Sequence, residues 1–209
     1  MPAISLQKKI SFVLVATLAT LVGLYPVIYF IIDEKFALLN SKSDELLNNY
    51  IWRSGFYTHI VAGGIALLIG WVQFSNKIRA GNVSLHRNLG RVYVFTALAS
   101  SVSALYIGVY ATGGIVPAAG FIALGVFWFL FTLLAFREIL NGNIQKHRSL
   151  MFYSYACCFG AVMLRIYLPF LLMIFPGFNT AYSIVAWLSW VPNLFFVKYV
   201  LLKKKVKIV

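Results

Sequence analysis

Six apolar stretches, each long enough to cross a lipid bilayer, constrain this chain more than any other feature of its sequence. A helix needs about 20 apolar residues to cross the hydrocarbon layer. Backbone groups in lipid need internal partners, and continuous segments of this length can satisfy them only as α-helices. The sequence therefore predicts an all-α, polytopic integral membrane protein, with one domain over residues 1–209. The six predicted transmembrane helices cover roughly residues 10–32, 55–74, 91–112, 115–136, 149–174 and 180–200.

The charge distribution predicts the orientation of these helices. The net charge of +13 is compatible with nucleic-acid binding, but the basic residues lie in short runs between apolar segments. That arrangement is typical of cytoplasmic loops that face anionic lipid, so we exclude nucleic acid as a partner. Fourteen of the 18 Lys and Arg residues fall on one side of the predicted topology. The positive-inside rule then places both termini in the cytoplasm, in a multi-pass protein of the cell (inner) membrane.

Two further segments carry predictions, the N-terminal apolar run and the connection between spans 1 and 2. Lys8 and Lys9 precede an apolar run that is too long for a signal peptide, and we interpret this run as a retained first span. Residues 43–52 follow a capping pattern and place their apolar residues on one helical face. We predict that they form a short interfacial helix on the outer membrane surface.

A repeated motif opens the third and fifth spans. His86-Arg87 and His147-Arg148 each have a leucine three residues after the histidine and a long apolar segment behind them. An Ile-Ala-Leu tripeptide precedes both, at residues 65–67 and 122–124. We therefore interpret spans 2–5 as a core bundle of two parallel helix–loop–helix repeats.

The paired histidines support two interpretations. Two imidazoles at one depth on separate helices suit axial ligation of haem b by His86 and His147, with Arg87 and Arg148 near the propionates. Alternatively, each His-Arg pair contacts lipid phosphate and water at the membrane surface and fixes the depth of its helix. The sequence contains no metal-binding signature that decides between them.

Arg165 and His59 form a second candidate site, towards the outer side. Arg165 lies inside span 5, and all five acids, Asp33, Glu34, Asp44, Glu45 and Glu138, lie in loops. A charged residue within a span is costly and often functional. Its partner is then a loop acid, a helix carbonyl, a lipid phosphate or an anionic ligand. His59 lies near the same side as a candidate ligand-binding residue or as a hydrogen-bonded interfacial histidine.

Known catalytic arrangements are missing from the sequence. It shows no nucleophile–base pair, acid pair or phosphate-binding loop, so a hydrolase is disfavoured and a non-catalytic role is favoured over an enzymatic one. Cys157 and Cys158 lie in an apolar run without metal-binding spacing and are interpreted as packing residues.

These residues together carry a family resemblance. With His59, His86-Arg87-x-Leu89-Gly90-Arg91-x-Tyr93, His147-Arg148-x-x-Met151 and Leu164-Arg165, the chain resembles a bacterial family of predicted membrane proteins. The family is catalogued as a domain of unknown function, number twenty-three-oh-six. The resemblance spans about helices 2 to 5; it implies the membrane class and supplies no activity.

A more distant likeness is to four-helix haem b proteins of the cytochrome b561 and ferric-reductase type. Those proteins carry one histidine pair near each membrane face, whereas His59 has no histidine partner here. Two functions are therefore carried forward. The first is binding of a small hydrophobic or anionic ligand within the bundle, and the second is a redox protein with one haem b between His86 and His147.

Overall fold

Helices make up most of the part of this chain that the structure describes. The computed structural model describes residues 6–32 and 37–202, and these contain no β-strand. Six helices among them are long and apolar enough to cross a membrane, which confirms the predicted fold class. We number them as spans 1 to 6: Lys9–Phe30, Tyr50–Phe74, Val83–Gly108, Ile115–Leu140, Ile144–Ile174 and Phe178–Val200. Asp33, Glu34, Lys35 and the lysines at 203, 204, 205 and 207, on which part of the charge argument depends, lie outside the described residues.

Proline residues explain where two spans change their helical form. Span 1 is α-helical over Leu6–Leu24 and continues as a 3-10 helix over Tyr25–Phe30, with Pro26 in the first turn of the second segment. Span 6 restarts at Val191 with Pro192 in its first turn. Proline has no N–H to donate to the preceding helical turn, so each α-helix ends before it.

The following bounds complete spans 2 to 6, and three short helices lie outside the spans. Span 2 comprises Tyr50–Gly70 and a 3-10 turn at Trp71–Phe74, and spans 3 and 4 are single helices over Val83–Gly108 and Ile115–Leu140. Span 5 comprises Ile144–Cys158 and Gly160–Ile174, and span 6 comprises Phe178–Leu188, Val191–Phe196 and Val197–Leu202. The short helices are Ala37–Ser41, Asp44–Asn48 and Asn76–Gly81.

Asparagine caps set the starts of spans 3 and 5, which begin earlier than predicted. The Asn82 side chain accepts a hydrogen bond from the Leu85 backbone N–H at 2.8 Å, and the Asn143 side chain accepts one from the Lys146 N–H at 3.3 Å. Such caps satisfy N–H groups that the first turn of a helix leaves unpaired. The helices therefore begin at Val83 and Ile144, before the apolar stretches that predicted them.

The connection between spans 1 and 2 contains a short helix within residues 43–52, where the sequence predicts one. It covers Asp44–Asn48, and its N-cap Ser43 accepts a hydrogen bond from the Leu46 N–H. The helix ends because Asn49 is extended and caps span 2 by accepting from the Trp52 N–H at 3.0 Å. The last part of the predicted segment 43–52 therefore belongs to span 2.

Spans 2 to 5 pack in a ring. Span 2 packs along span 3, span 3 along span 4 and span 4 along span 5, and span 5 returns to contact span 2. Span 1 packs on spans 2 and 5. Gly64 permits this approach, because a Cβ there would lie 2.7 Å from the Gly23 carbonyl oxygen.

Span 6 is packed more deeply than span 1, although the sequence predicts a core bundle of spans 2–5 only. In an apolar window of 18 residues, 39% of the residues of span 6 are buried, against 17% of those of span 1. Ala181, Val185 and Ala186 on span 6 are fully buried. A Cβ at Gly120 of span 4 would lie 3.0 Å from the Ala186 Cβ, so small residues on both helices allow close contact. Span 6 thus packs against spans 4 and 5, whereas span 1 packs against spans 2 and 5.

Candidate functional site

A cavity of about 560 Å³ lies inside the bundle and is lined by residues from all six spans. Its volume falls in the range of small-molecule binding sites. Along span 2 the lining runs from Trp52 to Leu67. At 1.5 Å per residue this is about 22 Å, most of the way across a hydrocarbon layer. The cavity is therefore long and narrow, and follows the helix axes.

Arg165 of span 5 lines this cavity and has protein partners of two kinds. One guanidinium N–H donates to the Ala161 carbonyl at 2.9 Å, one helical turn earlier. The guanidinium carbon lies 4.4 Å from the centre of the Tyr25 ring, which is a cation–π contact. Within the described residues no carboxylate pairs with Arg165 or lines the cavity. Among the described residues, its charge is therefore contacted by a carbonyl dipole and an aromatic ring and by no carboxylate.

His59 of span 2 lines the same cavity, so the structure brings the two outer candidates together. The His59 Nδ1 atom lies 3.0 Å from both the carbonyl oxygen and the hydroxyl oxygen of Ser100. The Ser100 hydroxyl donates to the His59 carbonyl at 2.8 Å, so its single proton is already used. We therefore assign the proton to Nδ1, which leaves the neutral ring with an acceptor at Nε2.

Sequence reasoning missed Lys42, which also lines the cavity. Its ammonium donates to the Tyr110 carbonyl and, at 2.9 Å, to the Thr112 hydroxyl oxygen. The Ser41 hydroxyl lies 2.9 Å from the same Thr112 oxygen. Burial lowers the pKa of Lys42 below that of an exposed lysine. The available signal was its position, since it is one of the few basic residues on the predicted outer side.

The twin histidines do not line this cavity. His147 Nδ1 lies 2.8 Å from the Ala135 carbonyl oxygen of span 4, and must donate to it. His86 Nδ1 is enclosed and makes no hydrogen bond to a described residue. His147 and Arg87 are electrostatic neighbours of His86, while Arg87 and Arg148 are exposed.

The caps add a residue to the repeated motif that sequence reasoning overlooked. Asn82 and Asn143 lie four residues before His86 and His147, and each histidine N–H donates to the carbonyl of its cap residue. Both units therefore read Asn-x-x-x-His-Arg. The same offset occurs twice in the sequence and was the signal that could have revealed it.

Around the motif the two connections differ, because span 2 ends in a 3-10 turn and an extra helix follows, whereas span 4 turns tightly into span 5. The repeat itself stays a prediction.

Comparison with known proteins gives a match to a protein family. No curated protein and no solved structure matches the chain, and nothing found supports the likeness to cytochrome b561. A family model described as "Predicted membrane protein (DUF2306)" matches residues 56–201. The matched segment contains His59, both histidine–arginine pairs and Arg165, but begins after Lys42 and Tyr25. This chain belongs to the DUF2306 family of predicted membrane proteins.

Proposed function

We propose that this membrane protein binds a small ligand with an apolar body and a negative charge inside its helix bundle, where it contacts Arg165 and His59. One observation carries the proposal: Arg165 lines a largely apolar cavity in which no described carboxylate balances its charge. Removing a charge from water costs several kcal/mol unless it is paired. An anion in the cavity offsets that cost, and the apolar lining accommodates the rest of the molecule.

His59 supports the proposal with a directed polar atom. Because Nδ1 is fixed as a donor to Ser100, Nε2 accepts a hydrogen bond when the ring is neutral and donates one when it is protonated. The ligand therefore meets one permanent cation and one histidine on the same side of the bundle.

We assign the protein to the cell (inner) membrane with both termini in the cytoplasm, its basic loops facing anionic lipid.

Native mass spectrometry of the purified protein tests this proposal. We expect the parent to carry a co-purified molecule that the Arg165→Leu variant loses and the Arg165→Lys variant partly retains, because lysine keeps the charge without the planar fork. Arg91→Leu is the matched control, since Arg91 bonds only to Asn88 among described residues and does not line the cavity. Equal occupancy in the parent and Arg165→Leu would count against the proposal.

The second candidate, binding of haem b by His86 and His147, is favoured by one contact. Ligating histidines typically donate their second ring N–H to a carbonyl, which orients the ring. The bond from His147 Nδ1 to the Ala135 carbonyl does this and leaves His147 Nε2 as a possible ligand atom. Arg87 and Arg148 are exposed beside the histidines and suit the propionates.

An absorbance spectrum tests the haem candidate independently of the cavity. The protein is expressed with ample haem, purified, and measured oxidised and then reduced with dithionite. A Soret band that disappears in both His86→Ala and His147→Ala supports it. A spectrum without that band, or a band that survives both substitutions, rejects this pair of ligands.

A further inference from the structure

The charged groups of the cavity all lie towards its outer end. In span 5 the lining runs from Pro169 down to Cys157, and Arg165 is four residues from the first and eight from the second. At 1.5 Å per residue, Arg165 therefore lies about 6 Å along the helix from Pro169 and about 12 Å from Cys157. In span 2, the neutral His59 lies near the middle of the lining between Trp52 and Leu67. Lys42 precedes span 2, in the outer connection, and is therefore at the same end.

The inner part of the cavity is apolar. Its lining includes Leu67, Trp128, Cys157 and Cys158, all buried. The Trp128 indole nitrogen and the Ser189 hydroxyl oxygen are polar and make no hydrogen bond to a described residue, but both are covered by neighbouring atoms. Neither atom is accessible for a polar group placed there. A ligand that fills the cavity therefore needs an apolar end pointing inwards.

Lys42 provides a second cation for the polar end. Its ammonium has three donors, of which Tyr110 and Thr112 accept two, so one is left for another acceptor. Tyr29 links this region to Arg165, since it interacts electrostatically with Arg165 and hydrogen-bonds to the backbone of Leu38, four residues before Lys42. Two cations and no described carboxylate thus face the outer end of one cavity.

We infer that the ligand is a single-chain amphipathic anion, whose head group contacts Lys42 and Arg165 and whose hydrocarbon chain extends inwards past Trp128 towards Cys157. This inference rests on the proposed function and deepens it by naming the ligand class and its orientation. A cavity of about 560 Å³ is of the size that takes one drug-sized molecule. The head group is a carboxylate or a phosphate, because both accept several charge-assisted hydrogen bonds from Lys and Arg.

A head-group series tests the ligand class. The purified protein in lipid nanodiscs is photolabelled with a diazirine-bearing hexadecanoate, and unlabelled hexadecanoate, hexadecyl phosphate and hexadecanol compete for the label. We expect the two anions to compete about tenfold more strongly than the alcohol, the value of one charge-assisted contact. Lys42→Gln and Arg165→Lys should reduce that preference, and Lys77→Gln, an exposed lysine outside the cavity, should leave it unchanged.

The position of the diazirine tests the orientation. A diazirine beside the carboxylate should label peptides that contain Lys42 or Tyr29, and one at the terminal carbon should label peptides that contain Trp128 or Cys157. The reverse pattern, or the same peptides with both probes, contradicts the inferred orientation.

The possible failures separate this inference from the proposed function. Equal competition by hexadecanol and hexadecanoate, unchanged by Lys42→Gln, overturns the anionic head group and leaves binding in the cavity intact. A second outcome is that no labelling is competed, while the parent still carries a co-purified molecule that Arg165→Leu loses. This result overturns the inferred amphipathic ligand and keeps the proposed function. Absence of both competed labelling and a co-purified molecule rejects both.

Discussion

At the scale of single residues, Lys42 gives a pH-dependent prediction. Its folded-state pKa is lowered by burial, so between that value and the pKa of an exposed lysine the unfolded chain binds more protons. Stability of the parent therefore rises with pH through this window. We expect the difference in melting temperature between the parent and Lys42→Met to shift in favour of the parent from pH 7 to pH 10. Lys77→Met serves as the exposed control, and a difference independent of pH would contradict the assignment.

A second prediction concerns Gly63, which leaves room for the Ser100 side chain that contacts His59. A Cβ at Gly63 would lie 2.9 Å from the Ser100 hydroxyl oxygen but 3.9 Å from the Ser100 Cβ. Gly63→Ala should therefore destabilise the protein by about 1–2 kcal/mol through overpacking, and by much less in a Ser100→Ala background. Thermal unfolding of the four proteins in this cycle measures the coupling. Gly81→Ala is the control because nothing lies within 4 Å of its Cβ position; equal losses in both backgrounds would show that the serine is not the obstacle.

At the scale of helices, the twin motif now has a structural role that does not depend on a cofactor. Asn82 and Asn143 each cap the helix that carries the following histidine. We expect Asn82→Ala and Asn143→Ala to cost about 1 kcal/mol each, and the corresponding Asp variants to retain most of the stability. Denaturant or thermal unfolding in detergent measures the loss. Should Asp and Ala prove equally destabilising, the side-chain oxygen would not be acting as a cap.

Element boundaries show where the sequence was informative and where it was not. The six spans could be predicted because length and apolar composition alone determine them. The first turns of spans 3 and 5 could not be predicted in this way, because Val83 to Leu89 and Ile144 to Arg148 are too polar for a hydropathy criterion. These residues are helical because an asparagine cap begins each helix. The deep packing of span 6 was also hidden, because lipid-facing and protein-facing surfaces of a membrane helix are both apolar.

At the scale of the whole molecule, Arg165 and His59 could be chosen from the sequence because polar residues are rare within spans. Their shared cavity and the contribution of Lys42 could not be predicted. Lys42 reaches Tyr110 and Thr112 from about seventy residues away in sequence, and only the packing of the connection between spans 1 and 2 against the one between spans 3 and 4 brings them together. Contacts of this kind depend on tertiary structure rather than on a local pattern.

The orientation of the bundle decides which side of the membrane the charged end of the cavity faces. The positive-inside bias predicts that the connection containing Lys42 is outside and the one containing Lys77 is inside. We expect an impermeant maleimide to label Glu45→Cys in intact cells and to label Lys77→Cys only after permeabilisation. The parent is the control, since Cys157 and Cys158 are buried. Labelling of Lys77→Cys alone in intact cells would reverse the topology and place Lys42 and Arg165 towards the cytoplasm, so that an amphipathic anion would enter from the inner leaflet.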